Sequence, residues 1–204
     1  MIKYPNILQR RVLTLKRLKT PVCLLLVLTA LLMPACAAEP PAVTAAAALL
    51  YEVKSDEVLF EYNADEQRYP ASTTKLMTAI VALEHGDITD TVTVSQSALD
   101  GLPERGSSVF LIAGEEMSFS DMLNYLLVAS GNDAANALAE HVAGSVDGFV
   151  ALMNEKAAEL GCTGTHFANP HGLHDENHYT TARDLLYIAR YAMQNPTITE
   201  IVAK

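Results

Sequence analysis

Two short apolar runs, Ala47-Ala48-Leu49-Leu50-Tyr51-Glu52-Val53 and Val58-Leu59-Phe60-Glu61-Tyr62, flank the polar connection Lys54-Ser55-Asp56-Glu57. Runs of that length across so short a link predict a β-hairpin. From Pro70 the period changes. Leu76, Ile80 and Leu83 recur at helical spacing until Gly86, with Ser72 or a neighbour placed to cap the helix. Val92-Thr93-Val94 and Val109-Phe110-Leu111-Ile112 predict short extended pieces, with a loop from Gly101 to Gly106 between them. A second helix begins at Ser118-Phe119-Ser120-Asp121 and runs through Met122, Leu123, Leu126 and Leu127. Ser130-Gly131-Asn132-Asp133 interrupts it and opens a third, with Ala135, Leu138 and His141 along one side. Val146 to Leu160 and Thr181 to Met193 predict two more, separated by a loop rich in Gly, Pro, His and Asn, and a short helical pattern follows Pro196. A strand pair thus precedes a largely helical block. Two strands alone make a marginal sheet, so these need further strands or cover from the helices.

Charge changes the picture at the N-terminus. Lys3, Arg10, Arg11, Lys16, Arg17 and Lys19 precede an uncharged stretch from Thr20 to Ala38. Its apolar centre, Val22 to Leu32, is short for a membrane span, and Ala35-Cys36-Ala37 suits signal-peptidase cleavage. Residues 1–37 are therefore read as a secretory signal and 38–46 as a lead-in, with a retained membrane anchor or lipidation at Cys36 as alternatives. Without those six cations, 8 of the 14 basic residues face 24 acidic ones. So acidic a chain lacks the basic footprint that nucleic acid requires. Cleavage after Ala37 leaves Cys162 alone, which excludes an internal disulfide and reads as a buried structural thiol.

Two constellations carry candidate chemistry. In Ser72-Thr73-Thr74-Lys75, at the start of a helix, the Lys75 amine can reach the Ser72 hydroxyl because positions i and i+3 share a face. The helix N-terminus favours negative charge on the attacking oxygen. Lysine serves as base only where burial or nearby cations lower its pKa. Alone, the pattern is also that of a capping serine and a solvated lysine. Ser130-Gly131-Asn132 falls at a helix break, where side chains can project into a cleft.

Together the two motifs match part of the set Ser-x-x-Lys, Ser-Asp-Asn and Lys-Thr-Gly found in penicillin-recognising enzymes. Pro70-Ala71-Ser72-Thr73-Thr74-Lys75-Leu76-Met77-Thr78-Ala79 resembles the active-site helix of the D-alanyl-D-alanine carboxypeptidases, the low-molecular-mass penicillin-binding proteins. Ser130-Gly131-Asn132-Asp133-Ala134-Ala135 is similar to their second motif. Phe167-Ala168-Asn169-Pro170-His171-Gly172-Leu173 and His178-Tyr179-Thr180-Thr181-Ala182 also resemble that family. The resemblance implies an α+β fold of the penicillin-binding protein/β-lactamase type. A helical subdomain, roughly residues 70–195, would pack on an antiparallel sheet of which only the first strands are present, within a catalytic region spanning 47–204.

The resemblance also implies roles. Ser72 would attack the carbonyl between the terminal D-alanines of a peptidoglycan stem peptide, forming an acyl-enzyme. Lys75 would take its proton. Ser130 would hydrogen-bond Lys75 and relay a proton to the leaving amine, and Asn132 would hold a substrate amide. No metal or organic cofactor is implied, and β-lactam antibiotics would acylate Ser72. The site would lie outside the cytoplasm, in the cell envelope, with membrane association open.

The third motif is absent. Beyond Asn132 the basic residues are Lys156, Arg183, Arg190 and Lys204, and none precedes Thr-Gly. In the family that strand supplies one of two oxyanion donors, whose loss typically costs about 3–4 kcal/mol in barrier. The chain is therefore expected to be the N-terminal portion of a longer enzyme. Two alternatives stay open: a serine β-lactamase, which would usually carry Asp in place of Gly131, and a degenerate muropeptide- or penicillin-binding protein. His166, His171, His174 and His178 lie close enough in sequence to suggest a metal site, but they overlap the family motif.

Overall fold

A computed structural model describes residues 42–103 and 106–204. The segment read as a signal, with Cys36, lies outside the described residues, as does part of the lead-in. Strand β1, Ala48–Glu52, pairs antiparallel with β2, Glu57–Tyr62, with an irregularity between Leu50 and Tyr51. The hairpin is only partly covered. Leu50, Val58, Leu59 and Tyr62 remain exposed, while Arg190 on a later helix stacks 4.9 Å from the Tyr51 ring.

A single 3-10 turn, Ala71–Thr74, leads into α1, Lys75–His85. Neither start is capped by a side chain. This corrects the expected Ser72 cap, and it leaves the Ser72 hydroxyl for other work. The expected stripe of Leu76, Ile80 and Leu83 is also too narrow. Met77, Thr78, Ala79, Ile80, Val81 and Ala82 are all buried, whereas Leu76 and Leu83 are only partly so. A helix apolar nearly all round is a central helix, and α1 is surrounded by the rest.

Strand β3, Thr91–Thr93, pairs with β4, Glu116–Ser118. The stretch Val109 to Ile112, expected to be a short extended piece, forms no strand. Its Val109 and Leu111 amides donate to the Asp133 carboxylate, and Phe110 is left-handed at φ 61° and exposed. Amides satisfied by one carboxylate cannot also form a ladder. Between the two strands of this pair lies a one-turn helix, α2, Gln96–Leu99.

Helix α3, Phe119–Leu127, is capped by Ser118, whose Oγ accepts the Asp121 amide at 3.0 Å. Helix α4, Asn132–Ala143, is buried from Asn132 to Ala139 and packs on α1, α2 and α3. Helix α5, Val146–Glu159, lies against α4 and α1, and α6, Ala182–Ala192, against α1 and β1. A short α7, Pro196–Val202, closes on α3. Phe119, Met122, Leu123, Leu126, Leu138, Phe149, Met153 and Ile188 form one core around α1 and α4. Each such side chain contributes roughly 1.5–3 kcal/mol of burial. Cys162 is buried in it and its thiol is pushed up to about 12 by desolvation, so it is inert.

Candidate active site

The 3-10 turn eclipses positions i and i+3, and Lys75 Nζ accordingly lies 3.3 Å from Ser72 Oγ. Ser72 is exposed while Lys75 is buried, 2% of its surface remaining accessible. Two oxygens from elsewhere in the chain bind the same amine: Asn132 Oδ1 at 2.7 Å and the His171 carbonyl at 2.8 Å. Burial pushes the Lys75 pKa down from 10.5 to about 8, partly opposed by the Asp133 carboxylate. The geometry has a direct chemical reading. A neutral amine has two N–H donors and one lone pair. With both N–H groups held by carbonyl oxygens, the lone pair faces the Ser72 hydroxyl.

The second motif is placed by its backbone. Ser130 adopts a left-handed conformation, φ 59°, between α3 and α4, and Ala71 just before Ser72 does likewise at φ 49°. Such conformations cost of order 1–3 kcal/mol in non-glycine residues and mark functional sites. Gly131 cannot readily carry a side chain, since a Cβ there would lie 2.9 Å from Asp133 Oδ1. The expected bond between Ser130 and Lys75 is not formed, because the amine's partners are Ser72, Asn132 and the His171 carbonyl. Ser130 Oγ is instead buried without a hydrogen-bond partner among the described residues, and it lines, with Ser72 and Lys75, a cavity of about 290 Å³. Besides Thr73, the rest of that cavity is lined by apolar side chains: Leu76, Leu126, Leu127, Leu185 and Ala189.

Several residues of the site were not foreseen as members of it. Asp133 is buried and accepts Ser108 Oγ together with the Val109, Leu111 and Ala134 amides, fixing the 107–111 loop beside Asn132. The Asn132 amide in turn donates to the Ser107 carbonyl. The loop around Asn169 folds on itself, with Asn169 Oδ1 accepting the His171 and Gly172 amides. It docks on α1 through Thr78 Oγ1, which donates to the Pro170 carbonyl at 2.6 Å. Gly172 passes so close that a Cβ would stand 1.9 Å from the Ala71 carbonyl oxygen. His171 and His178 are buried, and desolvation pushes both down to about 4, with Lys75 also acting on His171. The four histidines do not converge. His174 meets the Tyr69 ring edge-on and His166 lies over Tyr179. Among the described residues no group of three or more His, Cys, Asp or Glu is arranged to hold a metal ion.

A serine hydroxyl bonded to a buried, depressed-pKa lysine at a helix start, with an Asn on the same amine and a second Ser on the same cavity, is the arrangement of the serine acyl-transfer enzymes that recognise penicillins. Comparison with known proteins agrees. The profile of the D-alanyl-D-alanine carboxypeptidase family matches residues 34–203, and the chain belongs to that family. It is 45% identical over 160 residues to the D-alanyl-D-alanine carboxypeptidase DacC of Escherichia coli, covering 74% of this chain and 40% of that protein. It is 40% identical over 161 residues to DacA of Haemophilus influenzae, covering 76% and 41%. The crystal structure of a D-alanyl-D-alanine carboxypeptidase from Mycobacterium tuberculosis superposes with a TM-score of 0.76 at 36% identity, over 84% of this chain and 64% of that one. Penicillin-binding protein 6B of Escherichia coli gives 0.77 at 32%, over 83% and 56%. The α+β fold of the penicillin-binding proteins is thereby established, and the chain spans about 41% of the length of the Haemophilus relative.

Proposed function

We propose that this chain is the N-terminal part of a serine-type D-Ala-D-Ala carboxypeptidase that trims peptidoglycan stem peptides through an acyl-enzyme on Ser72. The observation that carries the reading is the Lys75 amine, buried and held by two carbonyl oxygens with its remaining direction on Ser72 Oγ. Lys75 accepts the Ser72 proton as the hydroxyl adds to the carbonyl between the two D-alanines. The tetrahedral intermediate collapses with loss of D-alanine, whose amine takes a proton by way of Ser130. Water then frees Ser72. The unpartnered Ser130 Oγ has the donor and acceptor capacity this relay needs. Asn132 keeps its amide nitrogen for a substrate carbonyl while its oxygen holds Lys75. A β-lactam follows the same first step, its ring amide standing for the peptide bond.

The fraction of the relatives' length covered supports a longer enzyme, with the third motif on a strand beyond the matched region. We assign 1–37 to a secretory signal, which places the site outside the cytoplasm. Gly131 weighs against the β-lactamase alternative, since an aspartate there would crowd Asp133. The test is release of D-alanine from a synthetic peptide ending in D-Ala-D-Ala. The result expected is release by the chain and none by Ser72→Ala. Tight peptide binding with no release by folded wild type would favour the degenerate binding protein instead.

A further inference from the structure

His178 has no part in the chemistry above, yet it is 1% exposed and carries two hydrogen bonds. Its Nδ1 accepts the Ala168 amide at 3.0 Å, and its Nε2 lies 2.7 Å from Thr74 Oγ1. An Nδ1 that accepts leaves the proton of the neutral ring on Nε2, so Nε2–H donates to the Thr74 hydroxyl. Desolvation lowers the His178 pKa to about 4, with Asp175 opposing and His166 adding to the effect, so the ring is neutral at physiological pH. It packs edge-to-face with Phe167, ring centroids 5.7 Å apart.

The two partners matter for where they stand. Thr74 is buried in the single turn between Ser72 and Lys75. Ala168 opens the loop whose His171 carbonyl binds Lys75 Nζ. We propose that His178 is a positioning residue for the nucleophile–base pair, tying the Ser72–Lys75 turn to the loop that supplies the carbonyl acceptor of Lys75. The Thr78–Pro170 bond and the Gly172 contact hold the far side of the same loop. Without His178 the near side is released, and a half-buried amide and a buried hydroxyl lose their partners. Burial is the chief cause of the low Lys75 pKa, and the loop supplies part of that burial. Loosening it therefore raises the value toward 10.5, with Asp133 pulling the same way and the neutral His171 adding no charge. A rise of one unit removes about nine-tenths of the neutral amine present at pH 7 and slows acylation about tenfold.

This inference rests on the reading of Ser72 and Lys75 as nucleophile and base, and its test separates the two. His178→Gln keeps a donor for Thr74 and loses the acceptor for Ala168. Thr74→Val keeps the Ala168 bond and loses the other, and Thr74→Ser restores the hydroxyl. In the full chain labelled with ¹³Cε-lysine, the Lys75 titration is followed by NMR, beside the melting temperature and the rate of labelling by a fluorescent penicillin. Lys75 should titrate at least one unit higher in His178→Gln and Thr74→Val, with labelling at pH 7 about tenfold slower, and both should return in Thr74→Ser. Folded variants that melt earlier but keep the wild-type titration and labelling rate would overturn the proposal, leaving His178 a purely structural residue. If the titration moves as described while wild type is never labelled, the positioning role stands and the nucleophile–base reading fails.

Discussion

Lys75 carries a stability signature as well as a chemical one. Its folded form loses its proton near pH 8 and its unfolded form near 10.5. Between those values the unfolded state binds more protons, so stability rises with pH across that window. Two and a half units correspond to about 3 kcal/mol. Because the raised Cys162 thiol pulls the other way above pH 9, the test is the difference between wild type and Lys75→Met in urea denaturation from pH 7.5 to 10.5, which should grow with pH by that order. A difference that does not change with pH would mean that the amine is not desolvated. Below pH 8 the buried ammonium destabilises the fold, as burial of a charge generally does. The Ser72–Lys75 pair was legible in the sequence because its spacing is local. Asn132, 57 positions away from Lys75, stood out at a helix break, but its role came only through resemblance to a family. The third partner of the amine was invisible, since it is a backbone carbonyl and no side-chain pattern announces it.

At the level of elements, the central device is the 167–173 loop pressed against the 3-10 turn. Its fit depends on Gly172, left-handed at φ 90° and in contact with the Ala71 carbonyl. Gly172→Ala adds both backbone strain and a clash with main-chain atoms that cannot rotate away. We expect a loss of about 2–4 kcal/mol, read by denaturant titration, with slower acylation of the folded fraction. An alanine variant as stable as wild type would show that the loop does not seat on the turn as described.

The same loop explains what the hydrophobic pattern could not show. Thr74 and His178 are 104 positions apart, and neither sits on an apolar stripe. Strand β4 escaped notice because Glu116, Met117 and Ser118 offer one half-buried side chain to a ladder held by main-chain bonds. Val109 to Ile112 misled in the opposite direction. It is apolar enough for a strand, but Asp133, far along the chain, takes its amides.

For the whole molecule, the helical block is self-sufficient and the hairpin is not. A single core joins α1 and α4 to their neighbours, and both candidate motifs are anchored in those two helices. Leu50, Val58, Leu59 and Tyr62 are left on a two-stranded sheet. Ser72 and Lys75 are thus brought together by the best-packed part of the chain. The strand of the third motif, which would complete the oxyanion site, is not among its residues, so acylation is expected to be slow, by a factor of about 10²–10³ for one missing donor.

Prolonged incubation of the purified chain with benzylpenicillin, followed by intact-mass and peptide-mapping mass spectrometry, tests this most directly. The result expected is one penicilloyl adduct per chain on the peptide containing Ser72, absent from Ser72→Ala and strongly reduced in Lys75→Met. A folded wild type that gains no adduct, or one that carries it on another residue, would contradict the assignment of Ser72 as the nucleophile.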